Sequence, residues 1–166
     1  MKRVIVLFLA AAAVCLLAAG RAASDPVFAG QCGIRAQQTI WGEYGWPSLL
    51  PVLGKPGVLL AANTLPGYPE AARATGATTY AFDLKLARRV GTPSKPADPS
   101  TIGAAAESYY EKSVENTGGC TTPLVVENEL FGATIPTPWS ASTAQYRANV
   151  LAYLQDLAAK GAHPVL

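Results

Sequence analysis

Histidine occurs once in the 166 residues, methionine once and cysteine three times. A single histidine, His163, argues against a His-rich zinc site and against a Ser-His-Asp triad. No Cys-x-x-Cys pair or Cys/His metal spacing is present. No Gly-x-Gly-x-x-Gly opens a dinucleotide fold, and no Gly-x-Ser-x-Gly elbow marks an α/β-hydrolase. Neither a cofactor nor a metal is therefore expected. Charged residues make up 14% and mix both signs, so nothing forms an electrostatic footprint for nucleic acid or an anionic membrane. What is abundant is apolar: at 50% hydrophobic, the composition is that of one folded domain.

The first 24 residues stand apart. Lys2 and Arg3 precede an almost purely apolar run from Val4 to Ala19, and small residues follow from Gly20 to Ser24. That is the pattern of a secretory signal peptide cleaved between Ala22 and Ser24. The alternative is a membrane anchor, but the run is shorter than the roughly 20 residues of a span. We expect a secreted protein with no stable membrane insertion after cleavage, and a mature domain over 25–166. Val14 stands where a lipoprotein signal has a small residue before its cysteine, so lipid attachment at Cys15 is not expected. Without the leader, 10 basic residues face 11 acidic ones. Cys32 and Cys120 remain, an even pair that suggests one disulfide in an oxidising compartment, with two unpaired thiols as the alternative.

Strand-like and helical stretches alternate along 25–166. Short β-branched or aromatic runs with Gly/Pro flanks lie at Ile34–Tyr44, Gly57–Asn63, Thr78–Asp83 and Pro123–Leu130, and a fifth starts at Pro164. Between them, Pro69–Thr75 and Leu84–Val90 read as short helices ended by Gly76 and Gly91. Asp98 followed by Pro99 reads as the start of a longer helix, with Ile102, Ala105, Ala106, Tyr109 and Val114 on its apolar face and Gly118–Gly119 as its stop. A last helix is expected to open on a capping box of Ser142 and Gln145. It carries a stripe of Tyr146, Val150, Tyr153, Leu154 and Leu157 and ends at Gly161. Arg88 and Arg89 read as a solvated helix face, and His163 as a solvated loop residue ahead of the fifth strand.

Alternating strand and helix argues for an α/β fold with a parallel sheet. Carboxylates at strand ends favour a barrel, whose active sites sit at the C-terminal ends of its strands. The expected fold is a partial (β/α)8 TIM barrel, about the first four βα units plus the start of strand five. A full barrel typically takes about 250 residues, so the chain is expected to be the N-terminal part of a longer one. A sheet that does not close leaves strand edges free to pair, and self-association of the isolated chain is expected.

The chemistry concentrates at the end of the fourth strand, where Val125–Val126 runs into Glu127, Asn128 and Glu129. A strand ending in Asn-Glu and followed by a long loop resembles the fourth strand of the retaining TIM-barrel glycoside hydrolases. The resemblance implies that Glu129 is the general acid/base and that Asn128 binds the sugar hydroxyl beside the reacting carbon. It also implies a nucleophile on the seventh strand, beyond the five read here. Glu127 is the alternative carboxylate. On a regular strand it shares a face with Glu129 and lies about 7 Å deeper. A hydrogen-bonded polar layer is the bland alternative for both glutamates.

Further strand-end residues suit a carbohydrate ligand, which presents C–H faces to aromatic rings and hydroxyl edges to polar groups. They are Trp41, Glu43 and Trp46 after strand one, Asn63 after strand two, Asp83 after strand three and Trp139 in the loop after strand four. Packing is the ordinary use of such tryptophans. Two readings follow: a secreted glycoside-hydrolase-like protein, inactive without its second carboxylate, or a non-catalytic carbohydrate-binding or cell-envelope protein on the same scaffold.

Overall fold

A computed structural model describes residues 32, 34, 38–41, 47–62, 65–128 and 140–166, with Trp41 described in its backbone alone. Five parallel strands form one sheet: β1 (Thr39–Trp41), β2 (Val58–Ala62), β3 (Thr78–Asp83), β4 (Leu124–Glu127) and β5 (His163–Val165). The sheet curls as a half-barrel, and every strand lies beside its predecessor in the chain. A doubly wound sheet would reverse its order at a switch point; none occurs among the described strands. The helices are α1 (Leu50–Leu53), α2 (Tyr68–Ala74), α3 (Leu86–Val90), α4 (Ile102–Asn116) and α5 (Ala144–Ala159). No described helix is long and apolar enough to cross a membrane.

Residues on one strand alternate between the two faces of the sheet. Val58, Leu60, Ala81 and Val125 point to the helices. There Tyr68 and Ala72 of α2 cover β2, while Leu86, Val90, Ile102, Ala106, Tyr109, Tyr146, Val150, Tyr153 and Leu157 cover β3 and β4. Tyr153, Leu157 and Val90 are wholly buried. Each such apolar side chain contributes about 1.5–3 kcal/mol by leaving water. Leu59, Ala61, Tyr80 and Leu124 lie on the inner face with Ile34 packed over them, and Phe82 and Val126 are half-buried beside them. At the two edges of this face Ile40 and Val165 are 61% and 40% exposed.

Local chemistry sets the helix ends. Asp98 accepts from the Ser100 amide at 2.9 Å and Pro99 opens a 3-10 turn that runs into α4, as the Asp-Pro pair predicts. The buried face of α4 turns polar in its last turns, with Ser113 and Asn116 inward and Val114 half-buried. The expected Ser142–Gln145 capping box does not form. Ser142 lies in a 3-10 turn over Ala141–Thr143, and Gln145 donates to Asn149 Oδ1 at 2.9 Å instead. Helix α3 starts at Leu86 because the Asp83 carboxylate accepts from the Lys85 amide at 2.9 Å and holds that segment as a turn. After α3, Gly91 adopts φ 82° and pairs with Pro96; a Cβ there would strike the backbone of Lys95, Pro96 and Ala97.

The proline-rich loop that follows α3, residues 91–99, is held from outside. Asn149 of α5, 1% exposed, donates its amide to Val90 O at 3.1 Å and to Ala97 O at 2.9 Å. Cys32 and Cys120 stand at disulfide distance, with Cα atoms 5.6 Å apart. Their positions join the stretch ahead of β1 to the α4–β4 loop, as the even cysteine pair suggests. His163 is exposed as expected, but it is the first residue of β5, opposite Leu124.

Candidate functional site

Strands β3 and β4 end together. Asp83 is the register partner of Glu127, and the Asn128 amide donates to Asp83 O at 3.0 Å, which carries the ladder one residue past β4. Alternation then decides which side each group serves. Phe82 and Val126 take the inner face, so Asp83 and Glu127 turn toward the helices. Asn128 follows Val126 onto the inner side at the rim of the sheet, where it is half-buried.

On the helix side a compact ionic cluster forms. Arg89 of α3 grips Asp83 with both arms of its guanidinium, Nε to Oδ2 at 2.5 Å and Nη2 to Oδ1 at 3.1 Å. Tyr153 of α5 places its hydroxyl 3.4 Å from Asp83 Oδ2. The guanidinium also lies 4.0 Å above the ring of Tyr109 on α4, a cation–π contact. The Asp83 side chain is 1% exposed and that of Arg89 20%. Arg89 is thus not the solvated residue its neighbour Arg88 is. Its partner comes from a strand end six positions back, and the dipeptide gives no sign of it.

Glu127 is 5% exposed, and its carboxylate oxygens make no well-formed hydrogen bond; their nearest polar neighbours are the Asp83 carboxylate and the Tyr153 hydroxyl. Burial first, and then the Asp83 carboxylate beside it, push Glu127 up to about 9, against the smaller pull of Arg89 and Tyr153. Burial and the same two carboxylates raise Tyr109 and Tyr153. Burial alone would lower Arg89, but its bonds to Asp83 and the charge of that carboxylate outweigh it and raise it.

The expected site residues therefore separate. Asp83, Glu127 and Asn128 come together at one end of the sheet, with Asp83 and Glu127 beneath the helices and Asn128 on the inner rim. Trp41 closes β1 opposite Leu60. Glu43, Trp46, Asn63, Glu129 and Trp139 lie outside the described residues, as does the leader. Two cavities of about 360 and 310 Å³ flank α4, share Lys112 and Glu115, and hold none of the expected site residues. Among the described residues, no three His, Cys, Asp or Glu side chains converge on a metal position. Arg89, Tyr109, Tyr153 and Asn149 are the polar residues that sequence reasoning did not single out for their contacts. Only for Asn149 was a signal present, a polar residue three positions after Tyr146 on an apolar stripe.

Comparison of the chain with models of protein families, with curated protein sequences and with solved structures returned no match.

Proposed function

We propose that the chain is a secreted glycoside-hydrolase-like protein, its sheet the first part of a (β/α)8 barrel that acts on a carbohydrate. The observation that carries this reading is the fourth strand. By the order of the sheet β4 is the fourth of the parallel strands, and it runs out into Asn128 on the inner rim, tied to the end of β3. In a parallel barrel that rim is where substrates bind. Asn128 then hydrogen-bonds a sugar hydroxyl. Strict alternation would put Glu129 on the helix side with Glu127, so this reading requires a bulge after β4 that turns Glu129 to the inner rim, where it protonates the glycosidic oxygen and later activates water.

A retaining mechanism needs a second carboxyl group about 5–5.5 Å from the first. On the inner face, the described residues offer none, because Asp83 and Glu127 face the helices. Hydrolysis thus depends on a carboxylate from outside the described residues. The same apolar inner face favours the second reading, a carbohydrate-binding or cell-envelope protein that does no chemistry.

The test is to assay the secreted chain and its Glu129→Gln variant for hydrolysis of aryl glycosides and for retention on soluble polysaccharides. Hydrolysis that drops by about 10²–10⁴-fold in the variant supports the enzyme reading. Retention without hydrolysis favours the binding protein, and absence of both rejects the two readings together.

A further inference from the structure

Glu127 is the one carboxyl group in the ionic cluster that the surrounding contacts do not explain. It is 5% exposed, it faces a second carboxylate across the β3–β4 register, and among the described residues neither of its oxygens makes a well-formed hydrogen bond, the Tyr153 hydroxyl being the one donor beside it. Among the described residues an ionised carboxylate in that position would find no donor beyond the Tyr153 hydroxyl, and it would be repelled by its neighbour. The cation within reach is already engaged: Nε and Nη2 of Arg89 both bind Asp83, whose remaining contacts are the Lys85 amide and the Tyr153 hydroxyl.

The geometry points to a protonated Glu127 carboxyl, held neutral beside the Asp83–Arg89 ion pair, as a pH-sensitive latch between the ends of β3 and β4 and the three helices that cover them. The groups that face it are Asp83 from β3, Arg89 from α3, Tyr109 from α4 and Tyr153 from α5. On its other flank β5 brings Pro164, the partner of Val125, to the helix side, and Pro164 does not titrate. With the proton in place the cluster holds one negative and one positive charge, and α3, α4 and α5 close over a neutral core. Loss of the proton leaves two adjacent buried carboxylates against a single guanidinium. The helix layer must then admit water or lift from the strand ends. The direction of the Glu127 shift agrees with this arrangement.

The full chain is labelled with carbon-13 at its glutamate carboxyls and titrated from acid to alkaline pH by NMR. One carboxyl carbon is expected to keep the shift of a protonated acid through neutrality, and Glu127→Gln, the neutral isostere, is expected to remove that signal. The variant should melt at least as high as the wild type at neutral pH. If every glutamate carbon titrates near the ordinary value of about 4.3, the proposal is overturned. It is equally overturned if the glutamine variant unfolds or melts well below the wild type, since a residue that must be charged would not tolerate the substitution. The wild-type titration stands without any variant.

Discussion

Asp83 and Glu127 lie side by side at the ends of β3 and β4, both buried, and of the two only Asp83 is bound by a cation, Arg89. The asymmetry has a cause in the sequence. The turn after β3 brings Arg89 back over Asp83 within six residues, while the chain after Glu127 continues along the sheet to Asn128. One strand end thereby gains a cation of its own and the other does not.

Arg89→Ala should destabilise the chain by about 3–5 kcal/mol, because it strands a buried carboxylate. Arg89→Lys should recover only part of the loss, since an ammonium cannot reproduce the two-armed grip on Asp83. Urea unfolding at neutral pH reads both variants; an unchanged midpoint in the alanine variant would show that the pair contributes nothing.

The wild type should lose stability as pH rises. The folded value of Glu127, about 9, lies above the unfolded glutamate value of about 4.3. Between the two the folded chain binds more protons than the unfolded one, so its stability falls with pH. The contribution is full below the lower value and gone above the upper. The slope attributable to this one proton is at most about 1.4 kcal/mol per pH unit. Unfolding free energies measured across that window should show the decline, and Glu127→Gln should flatten it.

Asn149→Leu should cost about 1–3 kcal/mol, the usual penalty for a buried acceptor left without a donor. Ala97 O is that acceptor, while Val90 O keeps the Ala97 amide at 3.0 Å. The loop 91–97 should then exchange its amide protons faster than α4 does, which hydrogen exchange with mass spectrometry can resolve.

Replacing Cys32 and Cys120 by serine, or adding reductant, should lower stability by about 2–5 kcal/mol if the pair is oxidised. Mass spectrometry of the purified chain after thiol labelling gives the redox state directly. Free thiols in that sample would remove the basis for the expected loss.

Much of the frame was legible because it depends on local pattern. Thr78–Asp83 is a strand from end to end, and the α5 stripe of Tyr146, Val150, Tyr153 and Leu157 is buried as its spacing demands. Asp98–Pro99 starts its helix for the reason the dipeptide suggests. Facing was not legible. Both faces of β3 and β4 are apolar, so alternation marks which residues share a side without saying which side is inner. For that reason Glu127 and Asp83 could be read as lining a ligand site. Pairing between elements was equally hidden: Arg89 differs from Arg88 only by its rotation about α3. The capping box failed because Gln145 had a better partner in Asn149, one helical turn on.

The Cys32–Cys120 pair spans 88 positions, and its consequence is topological. When bonded, it closes a covalent ring that contains β1, β2, β3 and α1 to α4, and it leaves β4, α5 and β5 as a tail. A protease that nicks the backbone inside the ring leaves a single molecule of unchanged mass apart from one added water. A nick in the tail releases a separate piece. Damage in the first part of the molecule is therefore tolerated without dissociation, whereas β4, which runs out into Asn128, is held to the ring only by its own backbone and its packing.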